Sequence, residues 1–181
     1  MNKELFVEQF RSLAPSEDDF MGKGLRPSFV NQQIDRFKIQ LKTTPKLKFI
    51  SDDEIVNLLQ TYDCSSIGIG MLSFDPEPEE RDGYYQVGKV ELDIIVINKI
   101  TKEIEVRDYA DLRHSIWKCA RNSYHFLDSL IISADCLKKI LLDTESGDDN
   151  DYLLTVVENC ADKAGGGQYI DFYKMLLGYF D

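Results

Sequence analysis

Histidine is scarce in this chain: His114 and His125 are the two it has. The four cysteines, Cys64, Cys119, Cys136 and Cys160, are widely spaced and form no CxxC pair. Zinc and redox spacings are therefore missing, and buried reduced thiols are the expectation. No apolar run approaches the roughly 20 residues of a membrane span. The N-terminal MNKELFVEQF carries charges where a signal peptide needs an apolar stretch. A cytoplasmic protein that does not engage a membrane is expected. Positive charge is also in short supply: 21 lysines and arginines face 32 aspartates and glutamates, for a net charge of −11. Such a surface repels nucleic-acid phosphates and attracts basic partners, so direct nucleic-acid binding is discounted. The glycines at 165–167 precede a helix, yet there is no GxxxxGK[ST]. They read as a joint rather than a phosphate cradle.

What is present is patterned for one α+β fold. At 181 residues the chain suits a single domain with a core of its own. Leu5, Phe6, Phe10 and Leu13 recur at helical spacing and Pro15 stops them. The stretch 16–24 reads as a loop. Pro27 opens a second helix with Val30, Ile34, Phe37 and Leu41 as its stripe, ended by Thr43, Thr44 and Pro45. S-D-D-E at 51–54 has the form of a capping box, with Ser51 and Glu54 reciprocal, ahead of Ile55, Leu58, Leu59 and Tyr62. After a turn at 63–66, Ile67, Ile69 and Met71 alternate as a strand.

The organising stretch runs from 87 to 132. Val90, Leu92, Ile94 and Val96 alternate with Glu91, Asp93, Ile95 and Ile97, which predicts one strand. Its second half is apolar on both faces and is expected to be central and covered on both sides. Residues 98–102 reverse the chain, and Ile104 and Val106 form a second strand with one wet face. An irregular segment follows from Asp108, and Ser123 caps a helix carrying Phe126, Leu127, Leu130 and Ile131. Leu137, Ile140 and Leu141 predict further helix. The acid-rich stretch 143–151 reads as a solvated connection without the ligand order of a calcium loop. Residues 152–163 and the aromatic-rich 169–180 predict two closing helices.

Candidate sites are few. Residues 75–82, DPEPEERD, read as a loop whose two prolines oppose helix and ladder alike. Its acids, Asp75, Glu77, Glu79, Glu80 and Asp82, either dock a basic partner or are simply solvated. Glu91, Asp93, Glu103 and Glu105 fall on adjacent strands. Side by side they would make an acidic patch; no E-x-K spacing turns them into a nuclease site. His114 and His125 have no nucleophile placed near them by a motif. Trp117 reads as core rather than as an interface anchor. No cofactor, metal site or catalytic residue is expected, and the chain is not expected to be an enzyme.

These pieces in their order resemble the SUKH superfamily, which includes a yeast cell-wall-synthesis regulator and many bacterial toxin-immunity proteins. The resemblance rests on I-x-x-F at 34–37, F-I-S-D-D-E-I-V-N-L-L-Q-T-Y-D at 49–63 and I-G-I-G at 67–70. It continues with E-L-D-I-I-V-I-N at 91–98, E-I-E-V-R-D from Glu103 and A-R-N-S-Y-H-F-L-D-S-L at 120–130. The match spans a little over half the chain; residues 63–66 lack the asparagine-glycine turn common there. The resemblance implies an antiparallel sheet with helices packed around it. It also implies protein binding, in bacterial members the occlusion of a cognate toxin that is often a nuclease, and it supplies no catalytic residues. The organisation expected is a SUKH-like domain over 1–142 and a helical extension over 143–181 packed on it. A regulatory scaffold for a host protein, and an enzyme with an unrecognised site, remain open as alternatives.

Overall fold

The computed structural model describes residues 1–43, 49–143, 147 and 149–180. Thr44 and Pro45, placed at the end of the second predicted helix, lie outside the described residues, as do residues 144–146 and 148 of the acidic connection. Helix α1 (Lys3–Ser12) starts where the Asn2 side chain accepts from the Leu5 N–H. It buries Phe6, Val7 and Phe10, while Leu5 faces solvent. Phe6 stacks on Phe10 and Phe10 on Phe37, at 5.5 and 5.1 Å between ring centres. The predicted loop after Pro15 contains a 3₁₀ turn, Glu17–Phe20, with its own capping box between Ser16 and Asp19.

Helix α2 (Pro27–Asp35) has Pro27 in its first turn, as read from the sequence, but it stops six residues earlier than its apolar stripe suggests. Phe37 and Ile39 are buried beyond its end. Leu41 is exposed on a short strand, β1 (Gln40–Leu41), that pairs with β2 (Tyr62–Asp63). Between them helix α3 (Glu54–Thr61) buries Ile55, Val56, Leu58 and Leu59. Its cap is Asp53, not Ser51. The Ser51 hydroxyl accepts from the Asp53 N–H, and Glu54 turns away to accept from Lys3 N and the Tyr124 hydroxyl. A carboxylate one residue before the helix satisfies two free amides at once, which outcompetes the serine box.

The main sheet is a five-stranded antiparallel meander in the order β3-β4-β5-β6-β7. Its strands are β3 (Leu72–Arg81), β4 (Tyr84–Val90), β5 (Asp93–Asn98), β6 (Ile104–Arg107) and β7 (Ser115–Ala120). The sequence reading is corrected at four places. Ile67 and Ile69 are buried in a loop with a single bridge to Leu72, not in a strand. Residues 75–82 are not a loop, since most of them belong to β3. The strand expected over 90–97 is two strands: Val90 pairs with Asp93 across a tight turn at Glu91 and Leu92, with Glu91 at φ +54° and Leu92 75% exposed. The irregular segment after Asp108 holds β7, opposite β6.

Helix α4 (Ser123–Leu142) is capped by Asn122, whose side chain accepts from His125 N, and Ser123 is its first residue. Helices α5 (Asn150–Ala164) and α6 (Ile170–Leu177) follow. Helix α3 packs on β3 and β4, while α4, α5 and α6 pack on β7. Val157, Phe172, Tyr173 and Leu176 share one core cluster with Ile95, Ile97, Ile104 and Val106 of the sheet. The Tyr173 hydroxyl donates to the Cys119 carbonyl at 3.0 Å, which ties α6 to β7. This is an α+β fold with helices on one sheet face and a helical C-terminal part. Among the described residues, no helix is long and apolar enough to cross a membrane.

Candidate functional site

Among the described residues, no helix packs on the other sheet face. Alternation sends Ile95, Ile97, Ile104 and Val106 into the core, and leaves Ile94, Val96, Glu105 and Arg107 on this open face. Val96 is nonetheless fully buried. Gln86 and Glu105 flank it across the ladders, and the Arg107 guanidinium lies 5.1 Å from the centre of the Tyr84 ring. Long polar side chains thus roof the apolar centre of β5 with their stems. Coverage on both sides, as expected from the sequence, is achieved among the described residues by these side chains rather than by a second layer of helices.

The most irregular part of this face is the edge strand β3. Phe74 pairs with Gly88 and Glu79 with Gln86. The four residues 75–78 therefore stand opposite Val87 alone. Prolines at 76 and 78 have no N–H for a ladder, so they are tolerated at a bulge on an edge. Pro78 turns inward and is buried. Lys42 pins the bulge from behind: its Nζ donates to the Pro76 carbonyl at 2.6 Å and to the Leu59 carbonyl of α3 at 2.5 Å. Asp75 accepts from Gln86 Nε2 at 3.0 Å. The result is an open depression of about 310 Å³, lined by Asp75, Pro76, Glu77, Glu79, Gln86 and Lys89.

The remaining acids of this segment lie along the edge. Glu79 pairs with Arg81 at 2.6 Å and Glu80 with Lys99 at 2.9 Å. Both pairs are solvent-exposed, where such bridges are worth about 0–1 kcal/mol and exchange partners readily. Asp82 is exposed at the β3–β4 turn. Met71 directly precedes β3 and accepts from Glu91 N at 3.3 Å, so the exposed side chains of Met71 and Leu92 sit at one end of the same edge.

The second acidic group does not assemble. Glu91 and Asp93 lie at the end where β4 turns into β5, and Asp93 accepts from Tyr109 N at 3.1 Å. Glu103 lies at the opposite end of β5, where its carbonyl accepts from Asn98 N. Its carboxylate accepts from Lys118 Nζ at 3.0 Å and from the Tyr169 hydroxyl at 3.1 Å, and it holds the Lys118 ammonium above its usual pKa. Glu105 is buried and paired with Arg107 at 2.9 Å. The tight turn at Glu91 breaks the register that the alternation implied, so the four carboxylates do not form one patch.

The cysteines belong to the core. All four cysteines are free and buried. Burial pushes the thiols of Cys64 and Cys160 up to about 12 and that of Cys119 well above its usual range. In the native protein they are expected to resist alkylation at neutral pH, and all four to react in denaturant; rapid native labelling at any of them would contradict the burial described. His125 Nδ1 lies 2.7 Å from the Lys163 carbonyl, and His114 is exposed in the β6–β7 loop. Trp117 is half-buried against the core, opposite Val106. Among the described residues no three His, Cys, Asp or Glu side chains are grouped to hold a metal ion. Sequence reasoning missed the bulge because it took the prolines as breakers, although an acid-rich, proline-spaced segment is what an edge strand tolerates. No family model matches the chain, and neither the curated proteins nor the solved structures contain a match to it.

Proposed function

We propose that the chain is a protein-binding domain similar to the SUKH immunity proteins, acting in the cytoplasm to neutralise a cognate toxin, such as a nuclease, by occlusion. The observation that carries this reading is the acidic depression at the β3 bulge. Asp75, Glu77 and Glu79 line a concavity on a sheet face that, among the described residues, no helix covers. A lysine or arginine of a basic partner fits it by charge and size. Exposed Met71 and Leu92 at the end of the same edge supply apolar contact beside the acidic rim. A net charge of −11 adds long-range attraction for a basic protein. The mechanism needs no bond-making: the domain covers the partner's working face.

The test is retention of a basic protein by the wild type and by the triple variant Glu77→Lys, Glu79→Lys, Glu80→Lys. Charge reversal is expected to slow association by about tenfold or more at low salt and to flatten its salt dependence. Equal on-rates would remove the acidic edge from the interface. Growth rescue on co-expression with the retained protein separates toxin neutralisation from a regulatory role, which would show retention without rescue.

A further inference from the structure

A second cleft, of about 270 Å³, lies away from the β3 edge, between the end of α2, the loop before β3 and the C-terminal half of α4. Its floor is apolar, formed by Phe37, Ile69, Leu137, Ile140 and Leu141. The charged side chains that line it, Arg36 and Lys138, are both cations. Lys138 is matched by Asp135 at 3.2 Å. Arg36 has no acidic partner among the described residues. It makes two long hydrogen bonds, to Gln33 Oε1 at 3.3 Å and to the Gly70 carbonyl at 3.4 Å, which leaves most of its five donors unused.

The guanidinium is also held in place. A Cβ at Gly68 would come within 2.5 Å of Arg36 Nε, so the side chain lies against bare backbone at the cleft. Arg36 closes the C-terminus of α2, where a cation is favourable. That accounts for its charge but not for the apolar floor beside it. In a chain of net charge −11, a cleft whose charged lining is wholly positive selects an anion.

We infer that this cleft binds a small apolar monocarboxylate, with the acid group on Arg36 and the hydrocarbon on the floor. Arginine matches a carboxylate by two parallel hydrogen bonds. At the roughly 30 Å³ share of a water per heavy atom, the cleft takes about nine or ten heavy atoms, which is a medium-chain or single-ring acid. The site stands apart from the acidic edge and does not depend on its role.

Titration calorimetry with octanoate and with octylammonium, on the full chain, tests this. Octanoate is expected to bind saturably and octylammonium to show no saturable binding. Arg36→Met keeps the stem and removes the donors, and is expected to weaken octanoate by about tenfold or more. Leu137→Trp fills the floor and should abolish binding with Arg36 intact, provided the melting curve stays cooperative. Equal octanoate affinity in wild type and Arg36→Met, equal binding of both amphiphiles, or no heat from octanoate at millimolar concentration would each overturn the assignment.

Discussion

Gly88→Ala is expected to lower the melting temperature by roughly 6–12 °C and to loosen β3 before the rest of the sheet. A Cβ at Gly88 would stand 2.4 Å from the Ser73 carbonyl oxygen and 3.2 Å from Phe74 Cα. Both are backbone atoms of the neighbouring strand, so no rotamer change relieves the clash. The strands must separate, and the Phe74–Gly88 pairing is the last one before the bulge. Losing one or two ladder hydrogen bonds and part of the burial of Phe74 costs about 3 kcal/mol. Gly167→Ala is the control, since its Cβ would meet nothing within 4 Å. Thermal unfolding with amide exchange at Ser73 and Phe74 reads the effect. Wild-type exchange there would mean that the bulge does not depend on this close approach. If it does, the same variant should weaken retention of the basic partner without touching any acid.

Asp53→Ala is expected to destabilise the protein by about 2–4 kcal/mol, and Asp53→Asn by far less. The carboxylate accepts from Ile55 N at 2.9 Å, Val56 N at 3.2 Å and the Ser123 hydroxyl at 2.6 Å. It therefore joins the first turns of α3 and α4 at a buried point. Alanine leaves two amides and a hydroxyl there without an acceptor; asparagine keeps one oxygen for the amides and gains a donor that the hydroxyl oxygen can accept. The pH dependence separates charge from geometry. Burial raises the Asp53 carboxyl above its ordinary range, against the opposing pull of its hydrogen bonds. A raised carboxyl contributes stability that is complete below its unfolded value of about 3.9 and is lost as pH rises through the folded value. The stability of the wild type relative to Asp53→Asn should therefore fall from about pH 3.5 to pH 7 in urea unfolding. A difference that grows with pH would show that the hydrogen bonds outweigh burial.

These two positions mark what could and could not be read from the chain. Helix α1, the start of α2, the body of α3 and the long α4 follow from periodicity, because each buries a stripe and little competes with it. The α+β architecture follows from the apolar strands at 94–97 and 104–106 beside those helices. The misses share one cause: a local signal has two solutions, and tertiary contact picks one. Ser51 and Asp53 are both sound caps, and the bond from Ser123, distant in sequence, favours Asp53. Leu92 continues an alternation, yet it sits in a turn that only the Val90–Asp93 pairing reveals. Prolines at 76 and 78 forbid a central strand but not an edge with a bulge. The acids at 75–80 were visible as a cluster; the concavity they line was not, because it depends on Gly88 and on the reach of Lys42. Arg36 gave no signal at all, since its neighbours Gly68 and Leu137 are brought to the end of α2 by two other elements, the loop before β3 and α4.

The proline pair has a consequence for self-association. A bare sheet margin normally invites a second copy to dock backbone against backbone and so to grow into fibres. Along 75–78 two of the four residues have no amide hydrogen to offer, and the Pro76 oxygen is already occupied by Lys42. An incoming chain meets an interrupted row of donors there, which hinders polymerisation of crowded protein through this margin.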